Sequence, residues 1–179
     1  MVSSKLILAS SSPRREKLLK QIGLDFTIVP AKLDESEYQY SDPEKMVCEL
    51  AVAKAEEISD LVENTVIIAA DTVVVYNNEI MGKPSTKDEA KEMLTKLGGN
   101  KHIVMTGTAV LSTEEDTLLV EADETEVYMR DITEEEILNY INTGEPMDKA
   151  GAYGIQGYGG IFVNKIVGSY FTVMGLPIH

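Results

Sequence analysis

The stretch Asn64-Thr-Val-Ile-Ile-Ala-Ala-Asp-Thr-Val-Val-Val-Tyr76 decides the fold of this chain. It is one long apolar run, rich in β-branched residues, and it is interrupted by a single carboxylate, Asp71. Such a run is typical of a strand that is covered on both faces, in the middle of an α/β sheet. The sequence therefore predicts a central strand that carries one acidic side chain.

Asp71 needs a compensating partner in that strand, because moving a lone carboxylate out of water costs roughly several kcal/mol. A cation, a metal ion or hydrogen-bond donors would compensate it, and so would a position where the strand emerges into a cleft. The alternative is an Asp that ends the strand and caps a loop through Thr72. Because the chain stays apolar through Val75, we favour a functional site.

Composition and charge limit the class of protein. The chain has 179 residues, 44% of them hydrophobic, which suffices for one good core, so we predict a single domain over residues 1–179. A net charge of −14 opposes binding to nucleic acid or anionic lipid, since both need a basic face. The single cysteine, Cys48, excludes an internal disulfide and fits a reducing compartment.

The N-terminal sequence gives no sign of export. Its apolar run, residues 6–9, is too short for a secretory signal, and no run approaches membrane-spanning length. We therefore expect a cytoplasmic protein with no membrane partner.

A candidate anion site follows the first predicted strand, residues 5–9. Ser12 supplies an N-cap and Pro13 a first-turn proline for a helix. Arg14 and Arg15 then lie in the first turn, where cations oppose the helix dipole. A strand, a Ser-rich turn, a helix N-terminus and two guanidinium groups together describe a phosphate or carboxylate pocket. A solvated basic turn is the alternative.

Two further charged residues could join Asp71. Glu35 lies in a polar loop and gains interest only if it reaches Asp71, where two carboxylates could share a divalent cation. Lys54 interrupts the apolar stripe of a helix that is predicted from Ser41 to about Ser59. Its stem either extends along the surface or points into a cleft, and the sequence favours neither.

The middle of the chain has clear element signals. Asn77-Asn78 suits a tight hairpin turn, and Thr86 begins a capping box with Glu89. Between them, Pro84 holds Lys83 extended at the end of a strand. Strands are predicted over 102–111 and 117–130, followed by a helix capped from residue 133 to 136. His102 has no partner at metal-ligand spacing, which favours a packed or hydrogen-bonded histidine.

The last part of the chain is rich in glycine, with eight of the thirteen glycines lying between Gly144 and Gly175. Tyr153, Gln156 and Tyr158 alternate with them. Spaced glycines let the backbone approach a flat ligand, while an amide side chain reads its hydrogen-bonding edge. A flexible linker is the alternative, but linkers rarely carry so many tyrosines and aliphatic residues.

Four motifs, in this order, resemble the Maf family of nucleotide pyrophosphatases over almost the entire chain. Each motif alone is weak, but the ordered set is highly specific. The motifs are Ser10-Ser-Ser-Pro-Arg-Arg15, Ala70-Asp-Thr-Val73, Gly82-Lys-Pro84 and Asp148-Lys-Ala-Gly-Ala-Tyr-Gly-Ile-Gln-Gly157. Members of this family usually continue with a helix after Gly-Leu-Pro, whereas the present sequence ends at His179.

The resemblance implies a two-lobed mixed α/β fold, similar to that of inosine triphosphatase, with an elongated twisted mixed sheet flanked by helices and a central cleft. It also implies a homodimer that hydrolyses nucleoside triphosphates to monophosphate and pyrophosphate with a divalent metal cation, Mg²⁺ or Mn²⁺. The fourth motif is similar to that of the subgroup acting on dTTP, UTP and modified pyrimidine nucleotides. The subgroup acting on 7-methyl-GTP differs at this place.

The resemblance also implies roles for individual residues. Asp71 matches the proton acceptor, and three residues match specificity positions: Arg14, Thr72 and Gln156. Six further residues match the other polar positions of the pocket: Ser10, Arg15, Glu35, Lys54, Lys83 and Lys149. The candidate catalytic residues are Asp71, Lys83, Glu35 and Lys54, and the candidate metal ligands are Glu35 and Asp71. Whether Asp71 acts as base, ligand or both stays open.

Two other classes of function compete with this reading. A regulator of septum formation could bind the same nucleotides without useful turnover. A phosphatase of the haloacid dehalogenase type is suggested by the residues after Asp71, but the second aspartate that such an enzyme needs is replaced by Val73.

Overall fold

The structure, a computed structural model, describes residues 5–35, 38 and 40–179. Within this part of the chain seven strands form one sheet. They are β1 (Lys5–Leu8), β2 (Thr27–Ile28), β3 (Thr65–Tyr76), β4 (Glu79–Met81), β5 (Lys101–Ser112), β6 (Thr117–Met129) and β7 (Val163–Val167).

The sheet is mixed, as predicted. Its strand order is β2-β1-β3-β5-β6-β7, and β4 pairs with β3. Strand β1 pairs in parallel with β2 and with β3, whereas the β3–β4 and β6–β7 pairs are antiparallel. The two parallel pairs need crossover connections, which the intervening helices provide.

Among the described residues, five α-helices flank the sheet: α1 (Pro13–Gln21), α2 (Pro43–Ser59), α3 (Lys87–Leu97), α4 (Glu134–Asn142) and α5 (Tyr170–Met174). The glycine-rich part contains three short 3₁₀ helices, Glu145–Asp148, Ala150–Ala152 and Tyr158–Phe162. In the described part of the chain, no helix combines the length and the apolar character needed to cross a bilayer.

The predicted start signals work at most elements. Asp42 caps α2 by accepting from two backbone amides, and Thr133 and Glu136 form the complete capping box of α4. At α3 only half of the predicted box forms: Thr86 accepts from the amide of Glu89, but the Glu89 carboxylate accepts from the amide of Ser85 instead. The predicted start of α3 is confirmed, but the predicted bond from the amide of Thr86 to the Glu89 carboxylate does not form.

The hairpin between β3 and β4 turns at the predicted pair. Asn77 and Asn78 have φ angles of +50° and +65°. Positive φ at both central residues is the geometry that matches the right-handed twist of paired strands, and asparagine tolerates it better than most residues.

The chain divides into two compact units. The first comprises Met1–Asp71, Thr106–Asp123 and Gly175–His179, and the second comprises Thr72–Met105 and Glu124–Met174. Three of the divisions fall inside strands β3, β5 and β6. Each unit has its own hydrophobic core.

The core of the first unit is built from small side chains. Ala51 and Ala55 of α2 cluster with Ala69 of β3 and Ala109 of β5, and all four are fully or almost fully buried. At Gly107 of β5 an added Cβ would lie 2.4 Å from the backbone of α2. Because small residues let backbones approach closely, α2 packs directly against the sheet.

The core of the second unit is larger and contains aromatic rings. Leu94 and Leu97 of α3, with Ile137 of α4, pack in one cluster with Phe162. The ring of Tyr140 meets that of Phe162 edge to face at a centroid distance of 5.2 Å. This packing fixes α4 relative to the glycine-rich segment that follows it.

Candidate active site

Asp71 lies in the middle of β3 and is 8% exposed. Its predecessors Ala69 and Ala70 are fully buried. Because successive side chains of a strand point to opposite faces, three buried residues in a row mean that both faces are covered here. The predicted central strand is therefore confirmed, and the carboxylate does lie in surroundings where it needs a partner.

Lys54 is that partner. Its Nζ atom lies 2.6 Å from Oδ1 of Asp71, and the lysine is 9% exposed. Lys54 belongs to the buried stripe of α2, between Ala51 and Ile58. The close packing of α2 on β3 brings the ammonium group to the carboxylate, so the side chain does not extend along the surface. An ion pair of this geometry offsets the cost of burying both charges.

Glu35 is the second carboxylate at this lysine. Its Oε1 atom lies 2.7 Å from Lys54 Nζ, and its side chain is 43% exposed. The ammonium group thus bridges one buried and one accessible carboxylate. The sequence raised the idea that Glu35 reaches Asp71, and both residues meet at the same nitrogen.

Arg15 and Ser10 hold the turn that precedes α1. The Ser10 hydroxyl accepts from Nη1 of Arg15 at 3.1 Å and from the amide of Ser12 at 3.2 Å. Nε of Arg15 donates to the carbonyl of Gly175 at 2.6 Å. Burial lowers the pKa of Arg15, while Asp71 and Glu35 act in the opposite direction. Arginine stays charged in proteins, so Arg15 adds a cation to the neighbourhood of Asp71.

The structure corrects one detail of this turn. Ser12 occupies the N-cap position of α1, but its hydroxyl makes no capping bond. Its own amide is instead bound by Ser10. Arg14 follows Pro13 in the first turn and is half-buried.

The structure therefore brings five of the predicted site residues together in the first unit: Ser10, Arg15, Glu35, Lys54 and Asp71. Four others belong to the second unit: Thr72, Lys83, Lys149 and Gln156. Thr72 is half-buried, and Lys83 and Gln156 are exposed.

Lys149 makes local contacts. Its Nζ donates to the carbonyl of Glu145 at 2.5 Å and to the carboxylate of Asp148 at 2.7 Å. The Lys149 side chain is 11% exposed, and a Cβ added at Gly154 would lie 2.9 Å from its Cε atom. In this structure Lys149 therefore binds Glu145, at the start of the glycine-rich segment.

His102 behaves as predicted for a packed histidine. It is 2% exposed, and its Nε2 lies 2.7 Å from the hydroxyl of Tyr153. Within the described residues its Nδ1 has no hydrogen-bond partner. Burial lowers the pKa of His102 to about 4, so the ring is neutral at physiological pH.

Sequence reasoning missed two residues that bind the glycine-rich segment, Glu145 at its start and Tyr140 in α4. The Glu145 carboxylate accepts from the amides of Tyr158 and Gly159 and from the Tyr140 hydroxyl. The available signal was an acidic residue at the start of a glycine-rich stretch, whose backbone amides need acceptors. The contacts themselves join residues 13 and 14 apart in sequence, which no local pattern reveals.

Glu35 and Asp71 offer the carboxylate oxygens that could hold a divalent cation, because both lie at Lys54 Nζ. Mg²⁺ and Mn²⁺ prefer oxygen donors, and Mg²⁺ commonly binds through one or two carboxylates together with substrate phosphates and water. Among the described residues, no group of three or more acidic, His or Cys side chains is arranged to hold a metal.

Residues 5–179 match the family described as Maf-like protein. The chain belongs to the Maf family. The match covers both units and all four of the motifs discussed above, so this Maf chain carries the family's sequence pattern throughout.

Several curated relatives of this Maf chain are named dTTP/UTP pyrophosphatase. One from Geobacillus sp. (strain WCH70) is 52% identical over 174 residues, which covers 97% of this chain and 92% of the relative. One from Alkaliphilus metalliredigens is 49% identical, covering 97% and 91%. One from Dictyoglomus thermophilum is 47% identical, covering 99% and 92%.

Solved structures of two Ham1 proteins are also similar to this chain. That from Coxiella burnetii has a TM-score of 0.45 at 17% identity and covers 70% of this chain and 72% of its own. That from Staphylococcus aureus has a TM-score of 0.49 at 15% identity and covers 87% and 77%.

Proposed function

We propose that this Maf protein hydrolyses dTTP and UTP, and modified pyrimidine nucleotides, to the monophosphate and pyrophosphate. The observation that carries the proposal is the cluster in which Lys54 bridges Asp71 and Glu35 beside Arg15. The names of relatives at 47% to 52% identity supply the reaction and the substrates.

The charges of the cluster suit a polyphosphate. Arg14, Arg15 and Lys54 place three cations on the elements around Asp71, although the whole chain carries a net charge of −14. Fixed cations stabilise the charge that develops on phosphate oxygens during transfer. In this proposal Asp71 accepts the proton of the attacking water as the bond to pyrophosphate breaks.

Glu35 and Asp71 would hold the Mg²⁺ or Mn²⁺ ion, together with phosphate oxygens of the substrate. When bound, such an ion orients the phosphates and neutralises part of their charge. Lys54 lies 2.6 Å and 2.7 Å from the same two carboxylates, so it keeps them close together and fixes their orientation. From the family resemblance, Lys83 and Lys149 are proposed to bind phosphates, and Thr72 and Gln156 to contribute to base preference.

The proposal extends to the assembly and the location of the protein. The family resemblance supports a homodimer, and the single cysteine supports the reducing environment of the cytoplasm.

The reaction is tested by incubating the protein with dTTP and MgCl₂ in ¹⁸O-labelled water. We expect dTMP and pyrophosphate, with the label in dTMP, because attack at the α-phosphorus places the water oxygen there. Formation of dTDP and orthophosphate would contradict the reaction type. A dTTP complex that stays intact for hours with metal present would instead favour the septum regulator.

Asp71→Asn tests the role of the carboxylate. We expect turnover to fall by about a hundredfold to ten-thousandfold while dTTP binding, measured by calorimetry, is largely kept, because a general base contributes roughly 10²–10⁴ in rate. Asp60→Asn is the matched control, since Asp60 is exposed at the end of α2. A panel with UTP, dCTP and 7-methyl-GTP tests the base preference, and a preference for 7-methyl-GTP would overturn it.

A further inference from the structure

The glycine-rich segment from Gly144 to Gly160 contains six glycines and only short 3₁₀ helices. A backbone of this kind gains little rigidity from regular hydrogen bonding, and glycine has the most conformational freedom to lose. Side chains that bind its amides therefore decide how well it is fixed.

Glu145 binds two amides of this segment. Its Oε2 accepts from the amide of Tyr158, and its Oε1 accepts from the amide of Gly159, both at 3.0 Å. A third bond comes from the hydroxyl of Tyr140, 2.9 Å from Oε1. One carboxylate near the start of the segment thus binds two successive amides close to its end. Hydrogen bonds to a charged acceptor are the strong ones.

Tyr140 binds a third amide, in the middle of the segment. Its hydroxyl accepts from the amide of Gly154 at 3.3 Å while donating to Glu145. The ring is 4% exposed and packs edge to face on Phe162, so the hydroxyl has a fixed position. Glu145 and Tyr140 together, the Glu145–Tyr140 clamp, hold the backbone at residue 154 and at residues 158 and 159.

The glycines at the clamp are required by its geometry. A Cβ on Gly157 would lie 2.6 Å from Oε2 of Glu145, and φ at Gly157 is +98°. A Cβ on Gly159 would lie 2.5 Å from the Tyr140 hydroxyl. Any larger residue at these two positions would displace the side chains that bind the amides. The clamp therefore requires glycine at both positions.

The clamp residues are themselves held. Lys149 Nζ donates to the carbonyl of Glu145. Burial raises the pKa of Glu145, but the amides of Gly159 and Tyr158, the Tyr140 hydroxyl and Lys149 together bring it below its ordinary value. Glu145 is therefore a carboxylate, and an acceptor only, at neutral pH.

Gln156 lies in the middle of the clamped segment and is exposed. We propose that Glu145 is a specificity-determining positioning residue, which acts through the Tyr140 hydroxyl and the amides of residues 154, 158 and 159 to hold Gln156 at a fixed distance from the base of a bound nucleotide. This inference rests on the proposed pyrimidine nucleotide pyrophosphatase activity. A rigid segment excludes the larger purine bases, whereas a loosened one admits them, since displacements of about 1 Å suffice to change recognition.

Glu145→Gln tests the proposal at almost constant volume. The new amide can accept from one backbone N–H, but its NH₂ group then faces the other donor. We expect the ratio of kcat/KM for dTTP to kcat/KM for dATP to fall by about tenfold or more, since hydrogen bonds to a charged group are each worth that order. Glu135→Gln is the control, because Glu135 is exposed on α4, and it should leave the ratio unchanged.

Tyr140→Phe provides an independent variant. It keeps the packing on Phe162 and removes only the hydroxyl that joins Glu145 to Gly154. We expect a smaller fall of the same ratio, and a double variant with Glu145→Gln that is less affected than the product of the two single effects, because the residues share a bond. The ratio does not depend on the fraction of active enzyme, so a purely structural role would leave it unchanged.

Amide hydrogen exchange measures the clamp without any turnover. In Glu145→Gln the amides of Tyr158 and Gly159 should exchange at least about tenfold faster than in the parent protein, because both lose the carboxylate acceptor. Faster exchange with a lowered substrate ratio supports the proposal, and faster exchange with an unchanged ratio overturns it. If the parent protein releases no pyrophosphate from dTTP, the proposed function is refuted. If the parent is active and the Glu145→Gln variant discriminates between dTTP and dATP equally well, only this inference is refuted.

Discussion

At the level of single residues, Lys54 is a buried lysine that pairs with two carboxylates. Its ammonium group lies within 2.7 Å of both Glu35 and Asp71, on the stripe of α2 that faces the first core. Lysines are rarely buried without a partner. Each of the two buried charges, Lys54 and Asp71, therefore needs the other to compensate the cost of its burial.

Replacing only one member of the pair should destabilise the protein more than replacing both. We expect Lys54→Met to lower the free energy of unfolding by about 3 kcal/mol, because it leaves the Asp71 carboxylate without its cation. Adding Asp71→Asn should restore most of that loss. Urea denaturation measures both variants, and Lys17→Met on the exposed side of α1 is the control. A double variant as unstable as the sum of the singles would contradict the pairing.

His102 gives the protein a pH-dependent stability. Its pKa in the folded state is about 4, lowered from 6.5 by burial. The unfolded chain binds the proton more readily, so the stabilisation is complete above pH 6.5 and is lost as the pH falls toward 4.

His102→Gln should therefore remove part of the acid sensitivity. Between pH 7 and pH 4.5 we expect the free energy of unfolding of the parent protein to fall by about 2–3 kcal/mol more than that of the variant. Urea unfolding at the two pH values measures this difference. Equal losses in both proteins would mean that the pKa of His102 is the same in the folded and the unfolded state.

At the level of elements, the N-terminus of α4 carries a complete capping box. Thr133 accepts from the amide of Glu136, and the Glu136 carboxylate accepts from the amide of Thr133. The same carboxylate forms an ion pair with Arg130 at 2.7 Å. Because α4 carries Tyr140, its start also determines where the clamp hydroxyl lies.

Thr133→Ala should cost about 1 kcal/mol of stability, because it removes the side-chain acceptor at the N-cap. Thr95→Ala is the matched control. Thr95 is exposed inside α3 and bonds only the Lys91 carbonyl of its own helix, so alanine there should be neutral or slightly stabilising. Thermal melts of both variants test the comparison, and equal shifts would show that the cap contributes nothing specific.

At the level of the whole molecule, the chain passes repeatedly from one compact unit to the other. The divisions at residues 71/72, 105/106 and 123/124 lie inside strands rather than in linkers. A strand cannot lose half of its length without breaking its hydrogen-bond ladder. The single domain over residues 1–179 stays a prediction, and the cooperativity of unfolding tests it.

We expect unfolding in urea to be a single transition, with far-UV circular dichroism and the fluorescence of the eight tyrosines changing together. Ile58→Val in the first core and Phe162→Leu in the second should each shift the midpoint of both signals, by an amount that corresponds to about 1 kcal/mol. Two separate midpoints, or a variant that shifts only one signal, would show that the units unfold independently.

Sequence periodicity predicted most of the elements because their causes are local. The apolar run around Asp71, the proline after Ser12, the asparagine pair at 77 and 78 and the capping residues of α4 each act within a few positions. One prediction was wrong in detail: the Ser12 hydroxyl makes no capping bond at α1, and the amide of Ser12 donates to Ser10. The family, too, was readable from the order of four short motifs.

What the sequence by itself determined is thus the element order, the buried carboxylate and the membership of the Maf family. Only the tertiary structure decided which cation meets Asp71 and which side chains fix the glycine-rich segment. Lys54 and Asp71 are 17 residues apart, and Glu145 and Gly159 are 14 apart. Such contacts depend on how closely α2 packs on the sheet and where α4 ends, and packing distance is not encoded in any local pattern.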